Sequence, residues 1–346
     1  MNKRILKRLK DAKNILVRGH LYGTSRGEIS PISPAEVEEI KQIFPLDKFF
    51  IFGHARSGTT LLTRLIRVHP DVHCNYQGHF FTRKPTIEKL VDNSGIESWF
   101  RRPSNRWNHG TDLSPIVLRA VVDFILEREA RPLGVTTVGD KSPNNLMNGE
   151  SVRLMNKYYP DAKLIFLVRD GRDAAISHRL QSFLDATQHL NKNDWDIRKA
   201  FERDPEPFMS GGQSLFTPEG IRKAAENWVQ NIEETNQIGR ELYQEQFISL
   251  RYEDLLDSSW EQMNRLWSFL NVNTEIDGLS DSLKKELKSN PDAKWQQESG
   301  ANIIEPFQKG KINSWKKLFT QHDIKVYKEV AGDTLIKWGY EKDKNW

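Results

Sequence analysis

Cysteine is almost missing from this chain. Cys74 stands alone among 346 residues, which excludes a disulfide framework and any zinc module built on paired cysteines. A reducing, cytoplasmic compartment is the expectation that follows. No stretch approaches the ~20 consecutive apolar residues that a membrane-spanning helix needs. The N-terminus, MNKRILKRLKDAKNILVRGH, is basic but holds no continuous apolar run of the signal-peptide kind. Charge of one sign is also scarce: 51 Lys and Arg against 47 Asp and Glu leave +4. That is too little for bulk nucleic-acid binding and suits an enzyme that handles a small polyanion. Internal repeats and low-complexity tracts are absent. Aromatic residues are plentiful, with 17 Phe and 10 Trp, so the chain is not disordered and can bury a large core.

Periodicity sets the organisation. Ile5, Leu9, Ala12 and Leu16 follow helical spacing among Lys3, Arg4, Lys7, Arg8, Lys10 and Lys13. Residues 1–46 therefore read as a basic helical extension, either docked on the body or touching an anionic membrane surface. From residue 47 to 346 a single domain is expected. KFFIFG (Lys48–Gly53), KLIFLV (Lys163–Val168) and QFISL (Gln246–Leu250) are short apolar runs of the buried-strand kind. Helical patterns follow each of them, cover about 112–130 and 219–243, and recur twice after Thr274. Strands alternating with helices predict an α/β fold of three layers, about five parallel strands with helices on both faces. DPEPFMSGGQSLFTP (Asp204–Pro218) reads as a long loop, and 183–218 as a substrate-side insertion or loop.

GHARSGTT (Gly53–Thr60) lies between a buried strand and a helix. There, successive main-chain N–H groups and a helix N-terminus converge on a negative group. Gly58 permits the close turn, Ser57, Thr59 and Thr60 supply hydroxyls, and Arg56 supplies a forked cation. The segment nearly fits the triphosphate loop G-x-x-x-x-G-K-[ST], but Thr59 stands where the lysine belongs. That lysine reaches the outer phosphates, so its loss argues against a triphosphate. A second cluster follows the strand at 163–168, where Arg169 and Ser177 make a plausible phosphate clamp at a strand–helix junction. A magnesium-holding Asp would end such a strand directly. Here Arg169 ends it before Asp170, which argues against a kinase.

RSGTTLL, with the apolar strand before it and RLIRVHPDV after it, resembles the 5′-phosphosulfate loop of sulfotransferases. These enzymes use 3′-phosphoadenosine 5′-phosphosulfate (PAPS) and release adenosine 3′,5′-bisphosphate (PAP). The likeness is nearest to the bacterial and tyrosylprotein branches, and it implies a P-loop-type fold without a metal. By the same resemblance KLIFLVRDGRDAAISH is the 3′-phosphate motif, which gives that phosphate to Arg169 and Ser177. LRYEDLL resembles the segment whose Tyr lies at the adenine, here Tyr252. QKGKINSWKK resembles a late basic motif that closes over the 3′-phosphate; Lys309, Gly310 and Lys311 would take that role, with Trp315 as an anchor. Gln308 replaces its usual Arg.

Sulfuryl transfer needs positioning and charge stabilisation. Arg56 is the first candidate for the leaving phosphate, and Lys141 in GDKSPNN, which resembles a segment bordering the sulfonate, is the second. The acceptor hydroxyl or amine also needs a base. Related branches carry a Glu soon after HPDV, but this chain reads HPDVHCNYQGHFF, with Gln77 near that place. His79 is the expected base, ahead of His54 and Asp140, because its unperturbed pKa near ~6.5 suits the task. Phe80, Phe81, Trp99 and Trp107 are candidate walls of an acceptor pocket formed by 77–110, 140–147 and 183–218. The acceptor class stays open among small molecules, glycans, lipids and tyrosine. Two rival readings are a non-catalytic PAP-binding module, which the Gln77 replacement motivates, and a nucleotide or small-molecule kinase.

Overall fold

The computed structural model describes residues 12–13, 26–104, 106–108, 110–184, 186–289 and 312–346. The basic helix expected over the first 18 residues lies, but for Ala12 and Lys13, outside the described residues. Five strands form one sheet: β1 Asp47–Phe52, β2 Val72–Tyr76, β3 Thr137–Lys141, β4 Lys163–Val168 and β5 Phe247–Arg251. Their order is β2-β3-β1-β4-β5 and every pairing is parallel. Among the described residues the helices of eight or more residues are α1 Pro34–Ile43, α2 Thr59–Ile66, α3 Ser114–Ala130, α4 Glu150–Tyr158 and α5 Gly171–Leu184. They continue with α6 Lys192–Arg203, α7 Pro218–Tyr243, α8 Ser259–Phe269, α9 Leu279–Lys288 and α10 Gln321–Lys337.

Strand alternation explains the three layers. Phe50 and Phe52 of β1 face one side with Leu164, Phe166 and Val168 of β4, where α3, α4, α7 and α10 supply Val122, Met155, Trp228 and Tyr327. Phe49 and Ile51 face the other side with Ile165 and Leu167, covered by Leu62 and Leu65 of α2, Trp267 of α8 and Leu283 of α9. Full burial of each such side chain stabilises the fold by about 1.5–3 kcal/mol. Residues 26–46 pack on the same body: Ile29, Ile32, Val37 and Ile40 are buried, and the Ile32 N–H donates to the Lys157 carbonyl.

The 183–218 stretch differs from its reading as a loop. It carries α6 and a short helix, Glu206–Met209, inside the segment predicted to be irregular. The cause is a buried apolar seam: Phe183, Phe201 and Phe208 pack in series, tilted and then edge to face, with Leu215 buried in the same cluster. Phe81 also departs from its expected place as a pocket wall: it is buried among Phe50, Tyr158 and Tyr159. Phe80, although largely buried, lines a cavity with Gly78 and Asp140. Trp99 and Trp107 do reach the surface, 52% and 51% exposed.

Candidate active site

The carboxyl ends of β1, β3 and β4 lie side by side, so the segments that leave them must share one rim. From β1 the chain makes a tight turn, in which the Ser57 N–H donates to the His54 carbonyl at 3.1 Å. Arg56 (φ 70°) and Gly58 (φ 89°) are both left-handed, a pattern that turns successive N–H groups toward one concavity. α2 begins at Thr59, directly behind that concavity. Gly58 is obligatory here for a second reason: a Cβ on it would stand 2.3 Å from the Tyr252 ring. The Ser57 hydroxyl is buried and has no hydrogen-bond partner among the described residues. An orphaned donor at the mouth of an N–H cradle fits an anionic ligand better than a closed structural turn.

Arg56 crosses from the loop to α5, where its Nε donates to Ser177 Oγ at 3.1 Å. Arg169 follows the last residue of β4 and its Nη1 donates to the Arg56 carbonyl at 3.1 Å. Its guanidinium also lies 5.0 Å from the Tyr252 ring centroid, and its own carbonyl is held by Trp228 Nε1 at 3.1 Å. Lys141 ends β3, and its Nζ donates to Thr60 Oγ1 at 3.2 Å while lying 5.3 Å from the Tyr76 ring centroid. The structure thus brings Arg56, Ser57, Gly58, Thr59, Thr60, Lys141, Arg169, Ser177 and Tyr252 into one site. Lys309, Gly310 and Lys311 lie outside the described residues. Trp315, just beyond them, is fixed on α5: its main-chain N–H donates to Asp173 Oδ1 at 3.0 Å, and the Arg172 guanidinium lies 3.8 Å from its ring centroid.

The three candidate bases separate clearly. Asp140 is buried and engaged at both oxygens, by the Gly78 N–H at 2.9 Å and the Ser142 hydroxyl at 2.6 Å. Burial raises its carboxyl above the usual range, and the two bonds tie both of its oxygens to the turn that carries His79. His54 has a buried Nδ1 without a partner among the described residues, and desolvation, with His178 beside it, lowers its pKa to about 4. His79 is half-buried. Its Nδ1 lies 3.0 Å from Thr82 Oγ1, and burial, then Arg83 and Lys141, lower its pKa below 6.5. Gln77 is exposed on the same turn. Asp170, the carboxylate nearest to a kinase's magnesium position, is committed to Arg172, whose Nη2 and Nε reach it at 2.7 and 2.9 Å.

The sequence profile of the sulfotransferase family matches residues 48–275, which takes in all five strands. The chain belongs to that family. Protein-tyrosine sulfotransferase 1 of Danio rerio is 30% identical over 131 residues, 37% of this chain and 34% of the relative. The protein-tyrosine sulfotransferase of Drosophila melanogaster is 26% identical over 230 residues, 64% of this chain and 38% of the relative. The matched part of this sulfotransferase-family chain thus spans little more than a third of these relatives' length. Among solved structures, mouse sulfotransferase SULT7A1 complexed with PAP superposes with a TM-score of 0.46 at 14% identity. That superposition covers 93% of this chain and 97% of the other.

Residues that motif reading missed are those whose side chains hold other residues of the site in place. Ser142 and Thr82 hold the His79 turn and ring, and Glu253 accepts from the Asp170 N–H at 3.0 Å. Ser142 lies inside the K-S-P segment, which was its one visible signal. Thr82 had none.

Proposed function

We propose that this protein transfers a sulfuryl group from PAPS to a hydroxyl or amine acceptor by in-line displacement. The observation that carries the reading is the linked pair of cation sites, Arg56 in the loop and Arg169 after β4, joined through Ser177 and the Arg56 carbonyl. A ligand with a phosphate at each end of one nucleoside matches two adjoining anion sites, and a triphosphate chain matches one. PAPS supplies an activated sulfuryl group whose leaving group is the 5′-phosphate. The loop N–H groups and Ser57 to Thr60 hold that end, while Arg169 and Ser177 hold the 3′-phosphate and Tyr252 borders the base. Arg56 and Lys141 stabilise the charge that develops on the leaving oxygen.

His79 is the residue assigned to take the acceptor proton. In the tautomer whose Nδ1–H donates to Thr82 Oγ1, the neutral imidazole carries its lone pair on Nε2, as a general base requires. Its lowered pKa keeps it in that form at neutral pH. The presence of His79 on the turn that bears Gln77 supports catalysis over a non-catalytic PAP-binding module. The commitment of Asp170 to Arg172 speaks against the kinase.

Calorimetric titration with PAP, 5′-AMP and magnesium-ATP tests the reading. PAP should bind at least about tenfold tighter than 5′-AMP, since each charge-assisted contact contributes about 1.5–3 kcal/mol. Indifference to the 3′-phosphate, or a preference for ATP, would discard it. A screen of phenols, sugars, lipids and tyrosine peptides then identifies the acceptor.

A further inference from the structure

The turn that carries His79 has a backbone that residues with a Cβ avoid. Gln77 has φ 55° and His79 φ 50°, and a Cβ on Gly78 between them would stand 2.3 Å from the Phe80 ring. Two left-handed residues in three persist only where the surroundings over-determine them. Here every N–H of the turn finds an acceptor at the end of β3. Gln77 donates to the Lys141 carbonyl at 2.7 Å, Gly78 to Asp140 Oδ1 at 2.9 Å, and His79 to Ser142 Oγ at 2.9 Å. The Ser142 hydroxyl then donates to Asp140 Oδ2 at 2.6 Å, which closes the ring of bonds.

We infer that Asp140 and Ser142 are positioning residues, which set the His79 imidazole at the end of β3 by holding this turn in its left-handed conformation. The inference rests on His79 as the base of the proposed reaction. Asp140 and Lys141 are consecutive on a strand and so point to opposite faces. Lys141 turns to the anion loop and Asp140 to the base-bearing turn. One dipeptide at a strand end thereby couples the two halves of the reaction. Ser142 is required as a hydroxyl that accepts from one partner while donating to another, a role that Thr can fill and Ala cannot.

The test compares Ser142→Ala, Ser142→Thr and Asp140→Asn with the wild type. It measures turnover of PAPS with 4-nitrophenol as probe acceptor, PAP affinity by calorimetry, and the titration of the His79 imidazole by NMR, assigned with His79→Gln. In Ser142→Ala and Asp140→Asn, kcat should fall at least tenfold with PAP affinity within twofold of wild type. In both, the His79 titration should rise toward its ordinary position as the ring becomes solvated and moves off Arg83 and Lys141. Ser142→Thr should recover kcat to within about threefold. Removing the Asp140 charge alone would lower the imidazole pKa, so a rise in Asp140→Asn reports displacement of the ring. Unchanged turnover and titration would overturn the inference. So would PAP affinity falling in step with kcat while the titration stays put, because the network would then serve only the fold. If the wild type does not turn over the probe, the His79 titration alone decides this inference, and PAP affinity decides the proposed function.

Discussion

Arg56 is asked to do three things at once. It adopts a left-handed backbone, reaches α5 through Ser177, and offers its carbonyl to Arg169. Arg56→Ala and Arg169→Ala should each weaken PAP binding by about 1.5–3 kcal/mol. The bond between them runs to the Arg56 main-chain carbonyl, which Ala retains, so the two losses should add to within about 0.5 kcal/mol in the double variant. Calorimetry at one ionic strength decides; wild-type affinity in either single variant would sink the assignment. His79 makes a different prediction. Its pKa lies below that of a free imidazole, so the base form persists to lower pH. The acid limb of the kcat profile should therefore fall below pH ~6.5. His79→Ala should lower turnover and abolish that limb while PAP affinity stays nearly intact. Unchanged turnover would move the base elsewhere.

At the scale of elements, the loop between β1 and α2 is built against the helix that follows β5, and Gly58 is the contact point. Gly58→Ala would both strain a φ of 89° and drive a methyl group into Tyr252. It should cost about 1–3 kcal/mol in the urea stability of the free protein, as strained backbone positions do. PAP affinity should also fall, and a stable, binding-competent variant would show that the loop can move off Tyr252. The loop itself was legible in the sequence because its residues are chain neighbours between two apolar elements. So were β1, β4 and β5, whose runs are nearly unbroken. β3 was not, although it is buried along its length. T-V-G-D-K gives two of five positions to the charged residues Asp140 and Lys141, and its Gly139 fits beneath Phe49. β2 escaped for a related reason: as an edge strand it reads V-H-C-N-Y, with no apolar run. α6 was hidden because its apolar stripe is short: only Phe201 is fully buried, with Ile197 and Ala200 partly buried beside it. The tie from Ser142 to the His79 turn could not be read: Ser142 lies 63 positions from its partner, and the K-S-P segment marks the residue but not the bond. Thr82 is three positions from His79, but a lone Thr in a loop carries no pattern.

For the whole molecule, the same site that concentrates cations also sets how stability responds to acid. His54 has a folded pKa of about 4 against 6.5 when unfolded. Between those values the unfolded chain binds more protons, so this contribution is present above pH 6.5 and is lost as pH falls toward 4. Asp173, which accepts from the Asn313 and Trp315 N–H groups, is pushed the other way. Burial, and then Asp170, raise it from 3.8 to about 6. Across that interval the native state binds more protons, so Asp173 costs stability as pH rises from about 4 to 6. The two slopes oppose each other, and each is exposed by removing the other group. His54→Gln should lose the acid-side decline, so that its urea midpoint relative to wild type rises as pH is lowered from 7 to 5. Asp173→Asn should behave oppositely, gaining relative to wild type as pH is raised through the same range. The comparison uses ligand-free protein, because PAP stabilises any variant that binds it. Parallel curves for wild type and His54→Gln would mean that the His54 imidazole is solvated and that the floor of the anion loop is open to water.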